Sequence, residues 1–174
     1  MMKTIDTERL HLSWLEEKDT AFVLELLNSE GWLRFIGDRN IKDEASAKAY
    51  IHQVNEHHQK HQFGFLKVSL RETNTPLGIC GLINRNTLPQ IDIGFAFLAQ
   101  YMGKGYAYEA AKVIVEYAKN TLQLTHLLAI TLPENHSSRK LLEKLGMQCQ
   151  KMIIQNEEEL MLYEVAFLNN YSKA

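Results

Sequence analysis

The spacing of apolar residues along this chain switches repeatedly between two and three-to-four, and each switch marks an element. In "RLHLSWL" the spacing is two, which predicts a strand with Leu10, Leu12 and Trp14 on one face. From about Glu16 to Asn28 it becomes helical and carries Phe22, Val23, Leu26 and Leu27. "SEGWLRFIGDRN" has no period and predicts an irregular connection with two exposed aromatics. A second helix is expected from about Asp43, with Ala47, Tyr50, Ile51, Val54 and His58 on one face. "FGFLKVSL" returns to alternation, with Leu66, Val68 and Leu70 on one side. "ETNTPLG" and "NTLPQ" carry turn residues, and "LGICGLINR" and "IDIGFAFL" are the strands they join. Three strands linked by short turns predict an antiparallel meander.

A long helix follows, with Tyr106, Ala110, Val113, Ile114 and Tyr117 at the helical spacing. "HLLAITL" is apolar throughout, as a buried central strand would be. "ENHSSRKLLEKLG" predicts a short helix with Leu141, Leu142 and Leu145 inward and Gly146 at its stop. "MQCQKMII" and "ELMLYEVAF" close the chain as a hairpin around "QNEEE". The order β-α-α-β-β-β-α-β-α-β-β predicts an α+β fold, a mixed sheet of about seven strands with helices on its faces.

The chain has 174 residues and shows no linker, repeat or low-complexity run, so residues 1–174 read as a single domain. Apolar content of 45% and charged content of 23% suit a soluble globular protein. The formal net charge is -2 and no basic stripe is visible, so no nucleic-acid partner is expected. No segment reaches membrane-spanning length, and "MMKTIDTERLHL" lacks the apolar stretch of a signal peptide. No membrane partner is expected, and the expected location is cytoplasmic. Cys80 and Cys149 both lie in apolar, strand-like runs and read as buried thiols.

Candidate chemistry concentrates in "FLAQYMGKGYAYEA". A strand ends, two glycines follow one residue apart, and a helix begins. A helix start leaves amides without backbone partners and carries partial positive charge. Gly103 and Gly105 allow the backbone to approach a ligand closely, and Lys104 adds a cation. This is a cradle for a diphosphate, or a tight turn whose glycines serve packing alone. Two familiar phosphate motifs do not fit. A Walker loop needs G-x-x-x-x-G-K-S/T, but Tyr106 follows Gly105. A dinucleotide fingerprint needs a third glycine where Tyr108 stands, and "LQLTHLLAI" offers no acid for a ribose.

On these residues the chain resembles the GNAT superfamily of acyl-CoA-dependent N-acetyltransferases over nearly its whole length. That family's loop is Q/R-x-x-G-x-G/A at a strand-to-helix junction. "MGKGYA" is similar to it from Met102 to Ala107, with Met102 in place of Gln or Arg. "PENHSSRKLLEKLGM" resembles the family's second motif. "TERLHL" and "DIGFAFLAQYMGKGYAYEA" resemble the branch of bacterial ribosomal-protein amino-terminal acetyltransferases (the RimJ/RimL-like branch).

The resemblance implies a GNAT fold in which the fourth and fifth strands of the seven splay apart, and acetyl-CoA as co-substrate. Main-chain groups of Phe95 and Phe97 would meet the pantetheine arm. Met102, Gly103, Lys104, Gly105, Tyr106, Ala107 and Tyr108 would cradle the pyrophosphate. Asn135 would contact the cofactor arm as well as cap its helix, with Ser138 three residues on. The implied reaction is attack of a neutral amine on a thioester, which needs a proton acceptor, and a backbone donor near Phe97 for the carbonyl oxygen. Asp92, before "IGF", is the candidate base; the alternative is a solvated strand carboxylate. The family's acid is often a Tyr seven residues after the motif Asn. Leu142 stands there, so Ser138 is the available hydroxyl, either as acid or as a cap.

Trp32, Arg34 and Phe35 are the candidate acceptor wall, or else the packed core of a loop. The acceptor would be a primary amine, either a protein amino terminus or a small molecule, and the protein a monomer or homodimer. The departures at Met102 and Leu142 keep a second function in view, a non-catalytic acyl-CoA sensor. "HHQKH" brings His57 and His61 four apart without a Cys or acidic partner, so no metal is expected.

Overall fold

The structure, a computed structural model, describes residues 3–168. Its strands are β1 (Ile5–Asp6), β2 (Leu10–Ser13), β3 (Phe65–Leu70), β4 (Pro76–Ile83), β5 (Asp92–Phe97), β6 (His126–Thr131), β7 (Gln148–Gln155) and β8 (Glu158–Ala166). Its α-helices are α1 (Thr20–Leu27), α2 (Glu30–Phe35), α3 (Glu44–His61), α4 (Tyr106–Asn120) and α5 (His136–Lys144). The strands form one sheet of eight in the order β1-β2-β3-β4-β5-β6-β8-β7. The sequence predicts about seven; the additional one is β1, whose two residues are too few to show alternation. All neighbours are antiparallel except β5 and β6, which are parallel.

Helices cover both faces. α4 lays Ala110, Ala111, Ile114 and Ala118 on a cluster that includes Leu10, Leu12, Leu66, Val68 and Leu127. The small alanines let the helix approach the sheet closely, and Ile114 fills the space between. On the other face Phe22, Val23 and Leu26 of α1 and Ala47, Ile51 and Val54 of α3 pack with Ile79 and Leu98. Asp43 starts α3 as expected, accepting from the Ser46 amide at 2.8 Å. Beneath α1 lies an ion pair that periodicity does not show. Lys67 donates to both oxygens of Asp19 at 2.8 and 2.9 Å, and both residues are buried.

Two expectations need correction. The connection "SEGWLRFIGDRN" contains α2, capped by Ser29, and Trp32 is buried at 6% exposure instead of standing in solvent. Six residues are under two turns, too few for a helical period to register. Cys80 is buried as expected, and burial pushes its thiol up. Cys149 is exposed, because β7 pairs only with β8 and forms the rim of the sheet.

The run of histidines on α3 divides between core and surface. His58 is fully buried and stacks on Trp14 at 4.6 Å between centroids. Its Nε2 donates to the Phe65 carbonyl at 2.6 Å, which leaves a buried Nδ1 lone pair without a partner. Burial holds its pKa below the usual 6.5, against the pull of that hydrogen bond. The fold therefore prefers neutral His58. Its contribution is present above 6.5 and is lost as pH falls through the lower folded value. His58→Phe keeps the stack but cannot take up a proton. We expect lower stability at pH ~8 and a shallower fall of Tm between about pH 6.5 and 5, measured by calorimetry.

Candidate active site

The sheet is split where β5 and β6 run side by side. β5 pairs with β4 along its whole length, but its register with β6 is confined to Asp92 opposite Leu128. There the Leu128 amide donates to the Ile91 carbonyl at 3.0 Å. β6 is meanwhile paired with β8 from His126 to Thr131. Successive strand residues turn their amide and carbonyl to opposite edges. The Leu98 amide donates to Leu77 of β4, so the amides and carbonyls of Phe95 and Phe97 point the other way, into the gap toward β6. These are the residues the sequence analysis assigns to a ligand's main-chain contacts.

Just beyond this gap the chain turns into α4. Leu98 leads into a short 3₁₀ turn, Ala99–Tyr101, and Met102 follows in extended conformation, half exposed. Gly103 and Gly105 then adopt φ of +77° and +81°, the left-handed region that a Cβ disfavours. Gly105 is the N-cap of α4 and has no side chain to cap it. The first intrahelical bond runs from the Glu109 amide to the Gly105 carbonyl at 3.0 Å. The amides of Tyr106, Ala107 and Tyr108 therefore have no acceptor within the helix. They converge at a positive helix end, with Lys104 exposed beside them. Lys144 of α5 lies 4.1 Å from the centroid of the Tyr108 ring, which joins the two helices here.

Asp92 sits at the closed end of the gap. Its neighbour Ile93 belongs to the α4 side of the sheet, so Asp92 faces the side of α1 to α3. It is 1% exposed, which overturns the solvated-carboxylate alternative. Arg85 Nε donates to both of its oxygens at 3.0 Å. Burial pushes the carboxyl up and Arg85 offsets only part of this, so the pKa is pushed up to about 6. A carboxylate so tuned is ionised at neutral pH and more basic than an ordinary one. Phe95 lies three positions further on, about 10 Å along the strand. A proton from a group beside Phe95 would have to reach it through water.

Asn135 caps α5: its Oδ1 accepts from the Ser138 amide at 3.2 Å. Asn135 and Ser138 are both half-buried. The Ser138 hydroxyl makes no hydrogen bond among the described residues, which leaves it available to a ligand. The expected acceptor wall divides. Trp32 enters the α1–α3 cluster, and its buried Nε1 has no partner. Arg34 is exposed, and its guanidinium lies over the half-buried Phe35 ring at 4.9 Å. The rings of His57 and His61 lie tilted against each other, 4.5 Å between centroids, and no group of three or more metal-ligating side chains occurs among the described residues.

Sequence reasoning misses two residues. One is Arg85, the partner of Asp92, which lies in a loop with no pattern. The other is Arg9, whose guanidinium reaches the glycine turn from the start of β2. "TERLHL" is visible as a motif, but nothing in its spacing says what it touches.

An open strand edge that leads to an uncapped helix start suits an extended ligand ending in an anion, held across a split sheet. The chain belongs to the GNAT acetyltransferase family, whose domain model matches residues 9–148. By that membership it is an acyltransferase of the N-acetyltransferase kind. Among its relatives is the uncharacterized N-acetyltransferase YnaD of Bacillus subtilis (strain 168), 30% identical over 144 residues, covering 83% of this chain and 82% of that one. The acetyltransferase from Agrobacterium tumefaciens str. C58 superposes with a TM-score of 0.83 at 24% identity, covering 96% of each chain. RimL, a ribosomal L7/L12 α-N-protein acetyltransferase in complex with coenzyme A, superposes with a TM-score of 0.81 at 11% identity, over 94% of this chain and 98% of that one. These two structural likenesses are likenesses of fold. Among the described residues no helix is long and apolar enough to cross a membrane.

Proposed function

We propose that residues 1–174 act as a single domain that transfers the acetyl group of acetyl-CoA to a primary amine, within a ternary complex. The observation that carries this is the meeting of two unsatisfied backbone surfaces. The Phe95 and Phe97 edge of β5 opens onto the gap, and the chain then runs directly into the uncapped start of α4. Pantetheine is a chain of amides and can pair with a strand edge. Its diphosphate would then fall at Met102, Gly103, Lys104, Gly105, Tyr106, Ala107 and Tyr108, where amides and a lysine favour an anion. Backbone amides do this work, so Met102 can replace a polar residue at little cost.

Transfer requires the amine nitrogen to attack the thioester carbon as a C–N bond forms and the C–S bond breaks. The amine proton passes through water to Asp92, whose raised pKa suits it to the task. The Phe97 amide is placed to meet the carbonyl oxygen as it gains charge. The Ser138 hydroxyl donates a hydrogen bond to the leaving thiolate, which takes its proton from water. The acceptor enters from the α1–α3 side, where Arg34 and Phe35 form its wall and buried Trp32 backs them from the core. It is a protein amino terminus or a small-molecule amine.

CoA at about 100 times its Kd should stabilise the protein by about 2.7 kcal/mol. That is a rise of several degrees in Tm. NAD should give none. A shift with NAD and none with CoA would overturn the proposal. Asn135→Asp separates two roles, since Asp still accepts from the Ser138 amide but has no N–H to offer a ligand. We expect an unchanged Tm and CoA affinity weakened about tenfold.

A further inference from the structure

We propose that Arg9 is a positioning residue for the diphosphate cradle, clamping the glycine turn so that its amides point at the ligand. The inference rests on the proposed CoA site and assigns a residue outside it. Two left-handed glycines and an uncapped helix start make a segment with much conformational freedom to lose. Something outside the turn must hold it, and Arg9 makes the contacts. Its Nη1 donates to the Lys104 carbonyl at 3.0 Å, and its Nε donates to Glu109 Oε2 at 2.7 Å. Its own amide donates to Glu109 Oε1 at 2.8 Å, and the Thr7 hydroxyl donates to the same oxygen at 2.7 Å. The guanidinium lies 4.5 Å from the centroid of the Tyr106 ring. Its Nη2 would be 3.3 Å from a Cβ placed on Gly105. One side chain thus holds the residue before the cap, the first residue of α4 and the fourth.

The base of the clamp is itself fixed. The Arg71 guanidinium donates to the Thr7 carbonyl at 2.9 Å, and the Arg71 amide donates to the Arg9 carbonyl at 2.9 Å. Peptide geometry says what the clamp does. In a trans peptide the carbonyl and the next amide point in opposite directions. By holding the Lys104 carbonyl on its own side, Arg9 directs the Gly105 N–H to the other. Glu109 has a carboxylate in the first turn of α4, where an unpaired negative charge would repel a diphosphate. Burial works to raise its pKa, but the hydrogen bonds from Thr7 and Arg9 outweigh this and keep it ionised and paired. Arg9 spends its charge on Glu109, so it acts through geometry and leaves Lys104 as the exposed cation.

The test compares two donors, acetyl-CoA and S-acetylpantetheine, which lacks the diphosphate. Arg9→Gln should raise the KM for acetyl-CoA about tenfold, leave kcat within about twofold, and leave the KM for S-acetylpantetheine unchanged. Arg9→Lys should not restore the KM, because a point donor cannot bridge Glu109 and the Lys104 carbonyl together. Glu109→Gln, which breaks the clamp from its other end, should show the same donor-selective rise, with Tm followed to confirm folding. An unchanged KM for acetyl-CoA, an equal loss with both donors, or full rescue by Lys would overturn the clamp. A wild-type protein that binds no CoA would instead overturn the function on which it rests.

Discussion

Gly105→Asp is expected to weaken CoA binding by about 100-fold or more in a protein that still folds. The φ of +81° at this position strains any side chain, although Asp is among the residues that tolerate it best. That strain costs about 1 kcal/mol, a small part of a typical domain's stability. The effect on the ligand is much larger. The new side chain starts 3.3 Å from Arg9 Nη2, so the clamp must shift to admit it. The carboxylate then competes with the diphosphate for the amides of Tyr106, Ala107 and Tyr108 and repels it as a like charge. At about 4 Å and an effective dielectric of about 20, one such repulsion is worth about 4 kcal/mol. Gly103→Ala is the matching control. Its φ is +77°, and a Cβ there meets no protein atom within 4 Å, so it adds strain and a methyl group to the cradle without charge and should weaken CoA less than Gly105→Asp. Calorimetric titration with CoA, beside thermal melts of both variants, checks this. Unchanged affinity in Gly105→Asp would remove the diphosphate from the start of α4.

The second large effect is expected at Asp92. Asp92→Asn should lower kcat by about 100-fold, the lower end of what general bases contribute. It should also change the shape of the pH profile. A base works when ionised, so wild-type kcat/KM should fall as pH drops through about 6, the value to which burial pushes this carboxyl. The variant should lack that limb. Linkage separates this from unfolding. The folded pKa lies above the ordinary 3.8, so the fold favours the protonated form, and that contribution is lost as pH rises through about 6. Replacing the carboxylate by a neutral amide at neutral pH therefore does not remove a stabilising charge, and Arg85, 30% exposed in its side chain, can turn to water. A variant with the wild-type acid limb would exclude Asp92 as the base.

What the sequence reveals depends on whether a feature repeats locally. The start of α3 at Asp43, Ala110 and Ile114 on the inner face of α4 and the glycine turn are local patterns, and each stands where the spacing puts it; Val113 and Tyr117, from the same pattern, are only partly buried. Asp92 and Asn135 stand out by their place in motifs; the structure buries the first beside Arg85 and makes the second the cap of α5. α2 is too short to set a period, so Trp32 reads as exposed until the helix that buries it is seen. Cys149 lies in a run as apolar as that of Cys80, but one strand is at the rim of the sheet and the other inside it. A run of residues cannot say which neighbours it will pair with. The same holds for partners far apart in the chain. Arg9 meets Glu109 across 100 positions, and Asp19 meets Lys67 across 48. Both pairings come from topology: the order of strands brings the start of β2 beside the start of α4, and no spacing rule contains that. The gap itself lies between these two kinds of feature. Its edge is legible as the strand "IDIGFAF", but its openness comes from β6 pairing with β8 and diverging from β5.

On our proposal, the split sheet and the start of α4 together hold acetyl-CoA for transfer to an amine. The most direct measurement is free-thiol release from acetyl-CoA across a panel of amino-terminal peptides and small amines, with mass spectrometry of each amine in the same reaction. We expect thiol release that depends on one class of amine, matched one for one by acetylated product. CoA binding without any turnover, or thiol release that yields only acetate, would contradict it.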